Sequence, residues 1–177
     1  MATSTWTDLL RRLVGALRPS GARTRRAGAP PRPSAPRPGA PAEGYPGDYD
    51  GVVAAEYAPH LDGSPDPGEV VWTWVPFEED FSRGKDRPVL LVGRDGPWLL
   101  ALQLTSKDHD RDAAQEARWG RHWMDVGSGR WDSQGRPSEV RLDRVVRVDA
   151  AKVRREGAVL PRTTFDAVVG GMHRHGH

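Results

Sequence analysis

The stretch that decides the fold is GKDRPVLLVGRDGPWLLALQLTS, residues 84–106. Two apolar runs flank the turn Arg94-Asp95-Gly96, a pattern typical of a β-hairpin. The dipeptide Arg87-Pro88 opens the first run, and the proline holds the arginine where a loop meets the core. The second run ends in Thr105-Ser106. The stretch therefore predicts a buried hairpin with an arginine at its entry and hydroxyl groups at its exit.

Further short strands are predicted on both sides of this hairpin. GEVVWTWVP (68–76) predicts a central strand, because both of its alternating faces are apolar. RHWMDVG (121–127) and SEVRLDRVVRVD (138–149) predict two more strands, and DGVVAAEYAP (50–59) predicts an edge strand. In the 138–149 strand, one face is predicted to carry the apolar residues Val140, Leu142, Val146 and Val148, interrupted by Arg144.

The end of the chain is predicted to be helical. DAAKVRREG (149–157) favours a helical turn closed by Gly157, and Thr163 with Asp166 is typical of a capping box. The helix that follows carries the apolar residues Phe165, Val168, Val169 and Met172. Short strands with one closing helix indicate a mainly β fold, a small barrel with a C-terminal α-helix.

Residues 1–48 differ in composition from residues 49–177, which we expect to form the barrel domain. Residues 5–19 predict a short amphipathic helix, and the Pro-, Gly- and Arg-rich residues 20–44 predict a disordered linker. Residues 1–48 contain eight Arg and three acidic residues, a net charge of +5. The remaining residues contain 18 basic and 21 acidic residues, a net charge of −3. The domain therefore lacks the overall basic character of a duplex-DNA binder.

The composition excludes several classes of protein. The chain has no cysteine, which excludes disulfide scaffolds, thiol nucleophiles and cysteine-based zinc sites. No apolar segment approaches the roughly 18 residues of a membrane span, so we expect no membrane partner. A cysteine-free chain is compatible with a reducing cytoplasm, and we expect a cytoplasmic protein.

Three polar groups are candidates for chemistry, each with a simpler structural interpretation. Arg87 suits phosphate recognition, although Asp86 and Arg87 could form an ordinary charged turn. The hydroxyls of Thr105 and Ser106, with Lys107 beside them, suit a phosphate site or a simple turn cap.

Arg141 and Asp143 lie two residues apart on one strand face, as an exposed ion pair or as a cation positioned by a carboxylate. The acidic segment 108–112 departs from a calcium loop and is interpreted as a solvated loop. We expect only adventitious metal binding by the three C-terminal histidines. Six of the tryptophans divide into candidates for base stacking (Trp119, Trp123, Trp131) and candidates for the core (Trp72, Trp74, Trp98).

Five segments together resemble the PemK/MazF-like endoribonuclease toxins of bacterial toxin–antitoxin pairs. They are GEVVWTWVP, GKDRPVLLVG, LQLTS, SEVRLDRVVRVD and VRREGAVLPRTTFDAVV, in this order from about Gly68 to Arg174. The resemblance implies a homodimeric SH3-like barrel that cuts single-stranded RNA (mRNA) without a metal or cofactor. It also implies a cognate antitoxin protein that restrains the toxin.

The resemblance also implies roles for individual residues. Arg87 and Thr105 would act at the scissile phosphate, and Arg141 with Asp143 would form the pair used by the PemK-like branch. Residues around them are assigned to substrate binding: Lys85, Ser106, Lys107 and Glu79. The loop FEEDFSRGKD (77–86) has no histidine where that branch has one, so the general base is not identified.

The chemistry fits these residue types. RNA carries its own nucleophile, the 2′-hydroxyl, so the protein must remove a proton, stabilise the phosphorane and protonate the leaving oxygen. The expected products are a 2′,3′-cyclic phosphate and a 5′-hydroxyl. The alternative is a catalytically silent barrel of the same fold that binds protein or RNA.

Overall fold

This computed structural model describes residues 44–109 and 113–177, without the side chains of residues 155–157. The predicted N-terminal helix and the linker up to residue 43 lie outside the described residues. The boundary between residues 48 and 49 stays a prediction. No helix in the described ranges has the length and apolar character needed to cross a membrane.

The described residues form one six-stranded antiparallel sheet. Its strands are β1 Glu69–Phe77, β2 Asp80–Asp95, β3 Trp98–Thr105, β4 Trp123–Gly127, β5 Ser138–Asp149 and β6 Arg155–Val159. Their spatial order is β4-β5-β3-β2-β1-β6. Two helices accompany them, α1 Ala113–Arg118 and α2 Arg162–Arg174. The predicted mainly β fold with a C-terminal helix is confirmed.

Both faces of the sheet bury apolar side chains, because the strands in its middle are apolar at successive positions. One face packs against α2, and its cluster includes Val70, Leu90, Leu102 and Phe165. The opposite face carries a second cluster: Val71, Val75, Val89, Leu91, Leu99, Ala101, Val146 and Val148. The adjacent residues Val70 and Val71 therefore serve different clusters, as the period of two in a strand requires.

A large bulge divides β5. Leu102 of β3 pairs with Val145, but Leu104 pairs with Val140, so residues 141–144 lie opposite Gln103 alone. The prediction that Val140, Leu142, Val146 and Val148 share one face is wrong for this reason. Val140 and Leu142 pack with α2, whereas Val146 and Val148 belong to the opposite cluster.

The sheet curls so that the β1–β2 hairpin reaches β5, and the strands form a half-barrel. Glu78, in the hairpin turn, accepts a hydrogen bond from Arg141. The carbonyl of Pro76, near the end of β1, accepts one from Arg144. The face opposite α2 is therefore the inner face of the half-barrel, and we call it the concave face.

The hairpin β2–β3 matches the prediction, with Gly96 at φ 56° in its turn. However, β2 begins at Asp80, so Arg87 lies inside a strand instead of at its threshold. Gly84 allows close packing: a Cβ atom there would lie 2.5 Å from the Trp74 ring. The segment predicted as a loop before Arg87 is thus mostly strand.

Two other strand predictions need correction. Residues 50–59 form an extended segment instead of an edge strand, attached to the sheet by the Glu56 N–H to Val92 carbonyl bond of 3.0 Å. The predicted helical turn at 149–157 is one 3₁₀ turn, Ala150–Lys152, followed by β6.

Helix α2 has its N-cap two residues before the predicted one. Pro161 is the N-cap and makes no side-chain capping bond, while Asp166 accepts from Arg162 at 2.9 Å. The capping box at Thr163 is therefore wrong. Gly171 lets the helix approach β5 closely, because a Cβ atom there would lie 2.8 Å from Leu142.

Candidate active site

The concave face brings Arg87 and Thr105 onto adjacent strands. Val89 of β2 pairs with Gln103 of β3 at the end of this ladder, and Arg87 and Thr105 each lie two residues beyond that pair. Thr105 in turn pairs with Glu139 of β5. The alternation of the strands directs these polar positions to the same face as Val89. Three strands thus contribute neighbouring polar side chains to one region.

Arg87 is a half-buried cation in this region. Burial lowers the pKa of its guanidinium, and the nearby charge of Arg144 lowers it further. No carboxylate among the described residues pairs with it. Its neighbour Asp86 has the opposite orientation in the strand and pairs with Arg154 at 3.0 Å. The interpretation of Asp86 and Arg87 as one charged turn is therefore wrong, and Arg87 is suited to bind an anion.

Arg144, close to Arg87, is by contrast fully paired. Its guanidinium donates to both carboxylate oxygens of Asp48, at 2.7 and 3.1 Å, and to the Pro76 carbonyl at 2.9 Å. The side chain is 5% exposed. Arg144 therefore joins residue 48 to the sheet, and its charge is balanced locally.

Arg141 is also paired, and its partners hold it in one orientation. It donates to Asp143 from Nε at 3.0 Å and from a terminal nitrogen at 2.6 Å, and to Glu78 at 2.9 Å. Burial acts to lower the pKa of Arg141, but these two carboxylates outweigh it and raise the pKa. Asp143 also accepts the backbone N–H of His122 at 2.7 Å. Arg141 and Asp143 are thus the same-face pair that their spacing predicts.

The other predicted site residues lie at the edges of this region. The backbone N–H of Lys107 donates to the Thr105 hydroxyl at 3.1 Å, and Ser106 and Lys107 are exposed in that turn. Lys85 is exposed on β2, two residues from Arg87. Glu79 is exposed in the β1–β2 turn, where its neighbour Glu78 contacts Arg141 instead. The catalytic and substrate-binding roles of all these residues stay predictions.

His109 is a buried group of this region that the sequence analysis left in a solvated loop. Its Nδ1–H donates to Glu139 at 2.8 Å, and its backbone N–H donates to the other oxygen at 3.1 Å. Its ring stacks on Trp123, with centroids 4.1 Å apart and an interplanar angle of 1°. The available signal was its position four residues after Thr105, close enough to fold back over β5.

The tryptophans do not divide as predicted. Trp131 is 2% exposed and donates to Ser138, so it is a core residue and not a stacking platform. Trp119 is 63% exposed, with the Arg121 guanidinium 5.5 Å from its ring centroid. Trp72, Trp74 and Trp98, predicted to be core residues, are only partly buried.

The C-terminal histidines fold back toward β5. The His175 ring stacks on His122 with a centroid distance of 3.7 Å, and His177 Nε2 donates to the Asp143 carbonyl at 3.2 Å. Burial lowers the pKa of His175, and the neighbouring His122 lowers it further. Across the part of the chain that the structure describes, no group of three or more His, Asp or Glu is placed to hold a metal.

This fold defines a small, mainly β protein with a cation-rich concave face. The family model for the PemK-like, MazF-like toxin of type II toxin–antitoxin systems matches residues 66–174. The match covers more than half of the chain and spans β1 to α2. The chain belongs to this family.

Two solved structures of MazF toxins are similar to this chain at low sequence identity. The MazE–MazF complex (Form II) from Deinococcus radiodurans is 19% identical, over 63% of this chain and 94% of that chain, with a TM-score of 0.43. The Mycobacterium tuberculosis toxin MazF-mt6 is 14% identical, over 60% of this chain and 94% of that chain, with a TM-score of 0.40. Comparison with curated proteins found no significant match.

Proposed function

We propose that the protein is a metal-independent endoribonuclease toxin that cleaves single-stranded RNA and is neutralised by a cognate antitoxin. The observation that carries this proposal is Arg87, a half-buried guanidinium without a carboxylate partner among the described residues, on the strand next to Thr105. Membership of a toxin–antitoxin family supports both the activity and the antitoxin partner. A cytoplasmic homodimer stays a prediction.

The proposed reaction uses the 2′-hydroxyl of RNA as nucleophile. Its oxygen attacks the adjacent phosphorus while the bond to the 5′-oxygen breaks, which yields a 2′,3′-cyclic phosphate and a 5′-hydroxyl. Charge develops on the phosphorane oxygens in the transition state, and preorganised donors stabilise that charge most effectively. Arg87 donates in a planar fork that fits two phosphate oxygens, and the Thr105 hydroxyl donates from the neighbouring strand.

Arg141 supplies a second, oriented cation. Asp143 and Glu78 hold its guanidinium, so it loses little conformational freedom when a phosphate approaches. In this arrangement Asp143 positions Arg141. Single strands are the expected substrate, because only unpaired nucleotides can splay their bases onto a protein surface.

The test is incubation of the purified full-length protein with single-stranded RNA in excess EDTA, followed by analysis of the product ends. We expect cyclic phosphate and 5′-hydroxyl ends from the parent protein. Arg87→Met should lose about a hundred- to a thousandfold in rate, the usual effect of removing one preorganised donor. Arg94→Met is the matched control, because Arg94 lies at the far end of β2 and pairs with Asp66.

An inactive parent protein would contradict the proposal and favour the silent binding module. Cleavage by the parent only when a divalent cation is supplied would contradict its metal independence. Equal rates for Arg87→Met and Arg94→Met would remove Arg87 from the chemistry.

A further inference from the structure

We infer that His109 is the general base of the cleavage reaction and takes the proton of the attacking 2′-hydroxyl on its Nε2 atom. This inference rests on the proposed function and supplies the proton acceptor that the loop before Arg87 lacks. It is carried by the position of one buried imidazole, by the group that orients it, and by the bonding of the nearby carboxylates.

Two residues, Glu139 and Trp123, make three contacts with His109. Glu139 accepts from Nδ1 at 2.8 Å and from the backbone N–H at 3.1 Å, while Trp123 stacks flat against the ring. The His109 side chain is 9% exposed and that of Glu139 is 12% exposed. An imidazole with one nitrogen bonded to a carboxylate is oriented as general bases of acyl and phosphoryl transfer are.

The strand register places this ring among the predicted site residues. Glu139, which binds the ring, pairs with Thr105 of β3. Trp123, which stacks on the ring, pairs with Arg141 of β5. His109 therefore lies over the β4–β5 part of the sheet, next to the position of Arg141 and one strand away from Thr105.

The hydrogen bond to Glu139 decides which nitrogen can accept a proton. A carboxylate is an acceptor only, so Nδ1 carries the proton in this contact. In the neutral imidazole, Nε2 then holds the lone pair. Glu139 also stabilises the imidazolium that forms when Nε2 takes a proton, as a carboxylate partner does in a catalytic triad.

Three carboxylates of this region, those of Asp143, Glu139 and Glu78, are occupied by other bonds. Asp143 accepts from Arg141 with one oxygen and from the His122 N–H with the other. Both oxygens of Glu139 accept from His109. Glu78 is bonded to Arg141. As a class, imidazoles titrate nearer neutrality than carboxylates, so an imidazole is the better general base here.

The step balances without a further cofactor. The 2′-oxygen forms its bond to phosphorus as its proton moves to Nε2 of His109, and the bond from phosphorus to the 5′-oxygen breaks. The leaving 5′-oxygen takes a proton from solvent water, and the resulting hydroxide removes the proton from Nε2. The enzyme is returned to its starting state.

The variant His109→Asn tests the base. The asparagine amide nitrogen occupies the position of Nδ1 and can still donate to Glu139, but the group corresponding to Nε2 is gone. We expect the melting temperature to stay close to that of the parent and the kcat for single-stranded RNA to fall about a hundredfold with little change in KM. His173→Asn is the matched control, because His173 lies exposed on α2 and donates to the Val53 carbonyl.

A pH–rate profile tests whether His109 acts as the general base or has only a structural role. Among the described residues, the charged groups around the ring are Glu139 and Arg141 on β5, Glu116 of α1 through its bond to Trp123, and Asp108 in the chain. Glu139→Gln removes the carboxylate charge that stabilises the imidazolium formed in the reaction, so the acidic limb of the kcat profile should move to lower pH.

The outcomes distinguish this inference from the proposed function. An active parent and an inactive Arg87→Met, with His109→Asn within about threefold of the parent, would overturn the role of His109 alone. An inactive parent would overturn both. If His109→Asn does not fold, an unmoved acidic limb in Glu139→Gln would still contradict the inference, and a shifted limb would support it.

Discussion

Arg87 and Arg141 lie on the same concave face, yet their surroundings are opposite. Arg141 is 7% exposed and bonded to two carboxylates, which raise its pKa against the effect of burial. Arg87 is half-buried and near another cation, Arg144, and its pKa is lowered. The charge of Arg141 is balanced by carboxylates of the fold, whereas that of Arg87 has no carboxylate partner among the described residues.

This difference between Arg87 and Arg141 concerns the cost of burying an unpaired charge. Removing water from a charge is costly unless the charge is paired, so a fold selected for stability alone would give Arg87 a carboxylate. Local violations of such rules concentrate at functional sites. For the proposed reaction, the comparison favours Arg87 as the residue that binds the phosphate and Arg141 as an oriented second cation whose charge the fold already balances.

The largest expected effect is on stability at Arg141. Arg141→Met leaves Asp143 buried without its cation, and breaking a buried pair in this way costs about 3–5 kcal/mol. Arg87→Met removes a charge that pairs with no carboxylate of the described residues and keeps the apolar stem, so its free energy of unfolding should stay within about 0.5 kcal/mol of the parent. Urea denaturation of both variants measures these two changes in the free energy of unfolding.

The double variant Arg141→Met with Asp143→Asn controls this experiment, since it removes both charges and should recover part of the loss. A destabilisation of Arg87→Met as large as that of Arg141→Met would show that Arg87 has a structural partner. The two arginines would then not differ in pairing.

The difference between Arg87 and Arg141 can also be tested by introducing a carboxylate partner for Arg87. Gln103 is 8% exposed on β3, diagonal to Arg87 on the concave face, and Gln103→Glu adds a carboxylate with almost no change of shape. A charged hydrogen bond of about 1.5–3 kcal/mol would withdraw the guanidinium from substrate and slow cleavage about ten- to a hundredfold.

In the Gln103→Glu background, Arg87→Met should become destabilising, because it leaves the introduced carboxylate buried and unpaired. A double-mutant cycle tests this: single-turnover cleavage and urea denaturation are measured for the parent, the two single variants and the double variant. An unchanged cleavage rate in Gln103→Glu would indicate that Arg87 does not act through its free charge.

The smallest expected effect is at Thr105, whose hydroxyl is proposed to donate to the same phosphate as Arg87. Thr105→Val keeps the shape and removes the hydroxyl that accepts from the Lys107 N–H. We expect about a tenfold loss of kcat and a stability loss of about 1 kcal/mol, the net worth of one hydrogen bond. Steady-state kinetics with thermal denaturation measures both, and an unaltered kcat would leave Thr105 as a turn residue only.

Local pattern predicts much of this fold. The hairpin β2–β3 is marked by two apolar runs around a glycine turn, and β5 has the predicted bounds Ser138–Asp149. Arg141 and Asp143 contact each other because residues two apart in a strand share a face. These features depend on residues close together in the chain.

Features that depend on distant residues could not be predicted in this way. The bulge that places 141–144 opposite Gln103 depends on how β5 pairs with two different strands. The contact of His109 with Glu139 joins residues 30 positions apart. The sequence pattern likewise could not show that Asp86 would pair with Arg154, so that no carboxylate in the described part of the chain pairs with Arg87.

The salt dependence of RNA binding tests most directly whether Arg87 takes a phosphate. The ligand is a single-stranded RNA with a 2′-deoxy nucleotide at the cleavage position, titrated at several salt concentrations against the parent, Arg87→Met and Arg94→Met. Each phosphate contact with a single strand contributes about 0.7 to the slope of log affinity against log salt. We predict that Arg87→Met lowers the slope by about that amount and that Arg94→Met leaves it unchanged. An unchanged slope in Arg87→Met would contradict the assignment of its unpaired charge to the RNA backbone.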